Sequence, residues 1–357
     1  MRAFFAGVLW VLLSASAIAA DLPELVWSQN KASRGDGNVY DLMLLGDALY
    51  MHTEFISEAD EISNTILVVN AFSGKEVLKA ASGRKVLTPA RFGDILCVED
   101  QKTFYKGDGG IDKEVIALRY FDLSKGAELF SQNVPKDVKV AYDKYPPRDK
   151  RVKSDLPRRV GGLSWEGNTV YDYGGDGGFV WVHEAFTGKK YWERELGGII
   201  DADPILADGV LYVGDGSYLW ALDAKTGEDI GKKKFSDGWI EREPAITGDS
   251  IYVTDTVEPR EYGDFLPKVP RYRLYKLDKK TWKELWRFEA EVMTGPVVEN
   301  DRVYFGSWDN NLYALDANTG KETWRFRADG EINETPVISG SMLYFTTGKT
   351  VYALKIR

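Results

Sequence analysis

Beyond residue 20 the chain reads as short apolar runs broken by turn residues, and the runs repeat. The clearest copy is TGPVVENDRVYFGSWDNNLYALDANTGKETWRF, Thr294 to Phe326. Its runs PVV, RVYFGS, NLYALD and ETWRF are rich in β-branched and aromatic residues, and END, WDN and NTGK separate them. That pattern predicts four antiparallel strands, A to D. The C–D turn recurs six times, starting at Asn70, Asp122, Glu184, Asp223, Asp278 and Asp316. Its leading Asp or Asn can accept from nearby backbone N–H groups, and its Gly supplies the positive φ of a tight hairpin. Four residues after the Gly position stand Leu78, Phe130, Trp192, Trp286 and Trp324, with Gly231 as the exception. An indole there is expected to wedge between adjacent units.

A–B pairs occur seven times, near Tyr50, Leu96, Tyr171, Tyr212, Tyr252, Tyr304 and Tyr344. The last copy stops after its C strand, and Leu25-Val26-Trp27 resembles the missing D strand. The expected fold is therefore all-β: a seven-bladed β-propeller of four-stranded antiparallel blades, closed by the N-terminal strand pairing with the C-terminal blade. Such closure removes exposed sheet edges. Each blade then takes about 48 residues, within the range of propeller repeats. Eight blades would require the segment near 138–157 to form one, and it is short for that.

The first residues carry a different pattern. Arg2 precedes an apolar run, Ala3 to Leu13, and Ala17-Ile18-Ala19 fits a signal-peptidase site. The run is too short to cross a hydrocarbon layer of about 30 Å as a helix. The organisation expected is a signal peptide over 1–20 and a single domain over 21–357, exported to the periplasm or outside the cell. No Cys near the cleavage point offers lipid attachment, and no later segment predicts a transmembrane span.

Composition removes several chemistries. The 357 residues carry a net charge of −9, one cysteine (Cys97) and two histidines (His52 and His183). An internal disulfide and a Cys-based metal site are excluded, and a general nucleic-acid binder would carry a basic surplus. KGDGGID, YGGDGGF and VGDGS lack the oxygen spacing of a calcium loop and read as turns.

The turn pattern A-x-D-x-x-T-G-x-x-x-W is similar to the repeat of pyrroloquinoline-quinone (PQQ)-like β-propellers. Ala314, Asp316, Thr319, Gly320 and Trp324 match it fully. Ala221, Asp223, Thr226 and Gly227 match without the Trp; Thr187, Gly188 and Trp192 match without the first two positions. The resemblance implies either a quinoprotein dehydrogenase or a non-catalytic scaffold of the BamB-like kind, from the outer-membrane β-barrel assembly machinery. The dehydrogenase branch implies PQQ with a calcium-type ion, carboxylate and amide ligands and a general-base Asp, often beneath a vicinal disulfide. This chain has no Cys-Cys pair, no C-x-x-C-H and no ordered ligand set matching that branch. Neither a catalytic residue nor a cofactor is therefore expected, with PQQ and calcium, or a glycan in a central channel, as the alternative. The BamB-like branch implies eight blades and a lipidated N-terminal Cys, and this chain departs from both.

Long connections are the remaining signal. B–C segments are long at Thr53–Asn64, Asp100–Lys113 and Asp255–Arg271, and the D–A connection Ser131–Arg159 is longer still. In a four-stranded blade these ends share one face, where binding surfaces usually lie. The first segment is acidic (Glu54, Glu58, Asp60 and Glu61) and contains Phe55. The connection is basic, with Lys144, Arg148, Lys150, Arg151, Lys153, Arg158 and Arg159 around Tyr142 and Tyr145. Phe104, Tyr105, Tyr262 and Phe265 add aromatic anchors. Phe55, Phe104, Tyr105, Tyr142, Tyr145, Arg148, Lys150, Arg151, Tyr262 and Phe265 thus form the candidate partner-binding face of a monomeric scaffold. It would bind a protein partner, with peripheral envelope association. A solvated linker and aromatics folded back on their own blade are the competing readings. Deleting Tyr142–Asp155 is expected to abolish co-purification of a partner while leaving the circular-dichroism spectrum unchanged; retained co-purification would contradict the assignment.

Overall fold

The computed structural model describes residues 23–30, 37–56, 62–82, 85–92, 94–105, 111–133, 164–166, 169–174, 178–184, 189–235, 238–257, 271–291 and 293–356. All regular structure among them is β, arranged in antiparallel sheets. They fall into two compact units, one within Met1–Ala81 and Trp286–Arg357, the other within Ser82–Leu285.

In chain order, β1 is Glu24–Asn30. Sheet 1 comprises β2 (Gly37–Leu45), β3 (Ala48–Ile56), β4 (Ile62–Asn70) and β5 (Glu76–Ser82). Sheet 2 comprises β6 (Lys85–Phe92), β7 (Ile95–Tyr105), β8 (Ile111–Asp122) and β9 (Ala127–Asn133). Sheet 3 comprises β10 (Ser164–Glu166), β11 (Thr169–Gly174), β12 (Phe179–Glu184) and β13 (Lys190–Glu195). Sheet 4 comprises β14 (Ile205–Ala207), β15 (Val210–Asp215), β16 (Tyr218–Asp223) and β17 (Asp229–Lys234). Sheet 5 contains β18 (Gly238–Trp239), β19 (Ala245–Thr247), β20 (Ser250–Val257), β21 (Arg271–Asp278) and β22 (Glu284–Glu291). Sheet 6 comprises β23 (Val297–Glu299), β24 (Arg302–Gly306), β25 (Asn311–Asp316) and β26 (Glu322–Arg327). Sheet 7 comprises β27 (Val337–Ser339), β28 (Met342–Thr346) and β29 (Thr350–Lys355), with β1 antiparallel on β29.

β1 reproduces the other fourth strands even in their irregularity. Ala314 pairs with Trp324 but Leu315 with Glu322, leaving Thr323 bulged. Val182–Trp192 and Ala221–Gly231 are followed by the same skip, bulging Tyr191 and Ile230. On β29, Ala353 pairs with Trp27 and Leu354 with Leu25, so Val26 is the bulged residue. A bulge turns one side chain off the ladder and strengthens local twist. Val26, Tyr191 and Ile230 are accordingly exposed.

Where successive sheets of one unit pack together, the middle strands are buried on both faces. Tyr171, Val180 and Val182 of sheet 3 meet Leu211, Val213 and Leu222 of sheet 4. Tyr212, Leu219 and Ala221 of sheet 4 meet Ile251, Val253 and Leu277 of sheet 5. In the other unit, Leu312 and Ala314 of sheet 6 meet Leu343, Phe345 and Leu354 of sheet 7, and Tyr344 and Val351 of sheet 7 meet Leu49 and Val69 of sheet 1.

The repeated Trp makes a specific latch. Trp27, Trp192 and Trp286 each donate Nε1–H to a carbonyl in the next sheet's C–D turn, at Ala71, Ala224 and Ala317, each at 3.0 Å. The turn Gly lies under the ring: a Cβ on Gly227 would stand 2.7 Å from Trp192, and one on Gly320 would stand 2.6 Å from Trp286. Gly231 explains itself here. The next turn carries Trp282 where the others carry Gly, and a Cβ on Gly231 would lie 2.7 Å from the Trp282 indole nitrogen. The ring and the gap have changed places, at the cost of a left-handed backbone (φ 59°) at Trp282.

The C–D turns close as their sequence requires. Asp316 Oδ1 accepts from the N–H of Asn318 and Thr319 and from the Thr319 hydroxyl, at 3.1, 2.8 and 2.8 Å. Asp223 and Asp278 do the same with Thr226 and Thr281. Bonds from Lys125 and Ser124 hold Asp122 at about 2. Asp223, Asp278 and Asp316 are also held below the usual carboxylate value, chiefly by Thr226, Thr281 and Thr319.

The long B–C segments require a correction. Thr53–Ile56 with Ile62–Asn64, and Asp100–Tyr105 with Ile111–Lys113, are strand rather than loop, because their β-branched and aromatic residues extend the hairpin ladder. β20 and β21 likewise pair as far as Val257 and Arg271. His52 lies inside β3.

Two outcomes follow for stability. Trp282→Gly should destabilise by about 2–4 kcal/mol and Gly231→Trp by at least as much, yet the double exchange should cost less than their sum. Denaturant unfolding measures the coupling, and strict additivity would contradict the exchanged wedge. Because the turn carboxylates have depressed pKa values, their stabilisation is complete above about pH 4 and is lost as pH falls toward 2. Thermal midpoints should drop through that window, less steeply when Asp122, Asp223, Asp278 and Asp316 are all Asn; equal slopes would contradict the turn account.

Candidate functional site

Of the sequence candidates, Tyr142, Tyr145, Arg148, Lys150, Arg151, Tyr262 and Phe265 lie outside the described residues. Phe55 stands in β3, in register with Gly37 and Ser63. Phe104 and Tyr105 stand in β7, in register with Lys113 and Ile111. Phe55 therefore belongs to one compact unit and Phe104 with Tyr105 to the other. The leader, 1–20, is also outside the described residues.

A different surface is fully defined in the unit containing sheets 3 to 5. The connections into sheets 4 and 5 share the motif G-x-I-x-x-x-P, as Gly198-Ile199-Ile200 to Pro204 and Gly238-Trp239-Ile240 to Pro244. In each, the second apolar residue is buried: Ile200 at 7% and Ile240 at 0% exposure. The residue before it is turned outward, leaving Ile199 46% and Trp239 43% exposed.

Both connections converge on the B–C turn of sheet 4. Ile240 donates its N–H to Gly216 O at 2.7 Å. The Trp239 ring lies over Gly216, 3.6 Å from where a Cβ would stand. On the other side, a Cβ on Gly198 would stand 2.3 Å from Asp215 O, so only glycine lets that connection pass so closely. The Gly198 backbone and the Trp239 ring thus flank the Asp215–Gly216 step, and exposed Ile199 follows Gly198 directly in the chain.

The rim is acidic and ordered. Tyr173 OH donates to Asp203 Oδ1. Tyr272 OH donates to Glu241 Oε2 at 2.7 Å, and burial, first, with that carboxylate pushes the phenol up to about 12. Asp201 and Asp203 are exposed, and Glu241 and Glu243 are partly exposed. Arg242 is the one cation between Gly238 and Pro244. Beneath, Asp215 accepts from Trp220 Nε1 at 2.7 Å and from Tyr218 N at 3.2 Å, and burial raises its pKa. Asp255, fully buried, receives a two-pronged bond from Arg273 at 2.9 and 2.6 Å. A charge so paired rigidifies the base of the surface rather than offering itself to a ligand.

This surface was missed at the sequence level, although a signal existed. A third copy of the motif reads Gly330-Glu331-Ile332, with a charged residue at the outward position. An Ile and a Trp at a position that the repeat marks as solvent-facing are anomalies of the kind that mark interaction sites.

The donor set that PQQ with calcium would need can be compared with these residues. Among the described residues no three His, Cys, Asp or Glu side chains come together as metal ligands. The buried carboxylates Asp215 and Asp255 are already bound by Trp220 and Arg273. No chemistry is routed through that group.

The repeated four-stranded sheets and their Trp latch define a PQQ-like repeat β-propeller. The chain belongs to the family described as outer membrane protein assembly factor BamB, whose model matches residues 118–256 and 270–357. Among solved structures, BamB from Moraxella catarrhalis is 14% identical, with a TM-score of 0.53, covering 94% of this chain and 98% of its own. A computationally designed protein, Ika8, is 13% identical with a TM-score of 0.57, covering 90% of this chain and 98% of its own. The quinohemoprotein alcohol dehydrogenase ADHIIG from Pseudomonas putida HK5 is 13% identical with a TM-score of 0.53, covering 94% of this chain and 76% of its own. Similarity at this level speaks for the fold. No curated protein matches the chain. No helix among the described residues is long and apolar enough to cross a membrane.

Proposed function

We propose that this protein is an exported, non-enzymatic scaffold: seven four-stranded blades, closed by β1 on β29, that bind a protein partner through their B–C and D–A ends. The observation that carries the reading is the exposed pair Ile199 and Trp239, on the two connections that flank the Asp215–Gly216 step, rimmed by Asp201, Asp203, Glu241 and Glu243. A large aromatic beside an aliphatic residue on a rigid base is the usual make-up of an interaction hot spot. The acidic rim favours a partner segment that combines apolar anchors with Lys or Arg. Family membership supports a place in envelope assembly, and the leader supports export to the periplasm or beyond. The longer connections, with Tyr142, Tyr145, Arg148, Lys150 and Arg151, are proposed to extend the same face.

The resemblance to quinohemoprotein alcohol dehydrogenases motivates a second reading, oxidation with PQQ and calcium. The engagement of Asp215 and Asp255 by Trp220 and Arg273 weighs against it. Purified protein titrated with PQQ and calcium should give no absorbance change and no dye-linked alcohol oxidation; either signal would favour the dehydrogenase.

Affinity capture from the native envelope tests the first reading. The double variant Ile199→Ser, Trp239→Ala should fold normally and lose its co-purifying partner by tenfold or more. Undiminished capture by the folded variant would overturn the placement of the interface.

A further inference from the structure

β17 ends its sheet and differs from the other terminal strands: it carries three consecutive lysines, Lys232, Lys233 and Lys234, on an acidic protein. Phe235 N–H bonds to Ser217 O at 2.8 Å, and the ladder runs back through Lys234–Tyr218, Lys233–Leu219 and Lys232–Trp220. Antiparallel alternation then points the N–H and C=O of Lys232 and Lys234 away from β16, onto an edge that no described strand pairs with.

The lysine side chains do not cover that edge. Lys232 Nζ lies 4.2 Å from the Trp220 ring centroid and 5.5 Å from that of Tyr218, and Lys234 Nζ lies 5.6 Å from Tyr218. Both stems are laid back over the sheet face. Lys233, on the opposite face, bonds to Trp282 O at 3.3 Å. The strand's own carboxylate, Asp229, is held by Arg194 at 2.6 Å. Among the described residues, Lys232 and Lys234 make no direct ion pair, though the Lys232 charge acts on buried Asp215. Beside them the bulge leaves Ile230 56% exposed.

Edge lysines discourage pairing with a neutral strand, and the same charges favour an acidic one. We propose that β17 accepts an extended acidic peptide segment by strand addition. Two acidic residues, one position apart, face Lys232 and Lys234, and an apolar residue two positions further meets Ile230. The backbone groups of Lys232 and Lys234 supply the hydrogen bonds, and the aromatic-backed ammonium groups supply the selectivity. This second surface lies on the strand edge rather than on the Ile199 and Trp239 pair, although Lys232 also acts electrostatically on Asp215 beneath that pair.

The test is fluorescence anisotropy on the full chain with a fluorescein-labelled Glu-Thr-Glu-Thr-Val peptide. Binding is expected, with at least a tenfold loss for Lys232→Glu combined with Lys234→Glu. N-methylation of the two glutamate amides should abolish binding, because those amides face β17, whereas N-methylation of the threonine amides should preserve it. This peptide-side control needs no change to the protein. Absent binding, equal losses from both methylation patterns, or insensitivity to the lysine variants would overturn the proposal. So would lysine-dependent sedimentation with phosphatidylglycerol vesicles in the absence of peptide binding, which would mark the strand as a membrane contact.

Discussion

The indole wedge between successive sheets is the contact on which the rest of this molecule depends. One ring spans the gap, buries its faces against two sheets and spends its N–H on a turn carbonyl of the neighbour, as Trp27, Trp192 and Trp286 do. A buried N–H without a partner would be costly, so the bond fixes sheet spacing as well as adding attraction. The exchanged pair Gly231 and Trp282 makes the same point from the other direction. The chain tolerates a left-handed Trp rather than leave the gap unfilled.

That constraint decides where function can reside. The B and C strands of sheets 4, 6 and 7 are buried almost throughout, which leaves freedom at turn ends and on terminal strands. The D–A connections show how the freedom is used: Ile200 and Ile240 anchor each connection, which turns Ile199 and Trp239 outward. Glycine at 198 allows one connection to cross the backbone of the neighbouring turn, and the exposed pair results from that crossing. The acidic rim is held in place by Tyr173 and Tyr272 rather than left free in solvent.

Much of the architecture could be read from residue order. The Asp-x-x-Thr-Gly turns, the strand alternation and the Leu25-Val26-Trp27 strand all rest on local chemistry, which a linear pattern records. The Trp282 exchange was not legible, because it joins residues 51 positions apart whose anomalies look unrelated until their sheets are adjacent. The extended hairpins at Thr53–Asn64 and Asp100–Lys113 were misread because charge and length suggested loops, while the ladder was carried by Thr, Phe and Ile between the charges. The Ile199 and Trp239 surface was hidden for another reason: hydropathy alone assigns both residues to a core, and only comparison with Glu331 reveals the outward position.

The central claim is that the B–C and D–A end of this scaffold, not its A–B and C–D end, meets a partner. Site-specific photo-crosslinking in the native envelope compares the two ends directly, with a photoreactive residue at position 239 in one protein and at position 208, in the A–B turn of sheet 4, in another. The account predicts a discrete crosslinked protein from position 239 and none from position 208. Crosslinking from position 208 alone would contradict it.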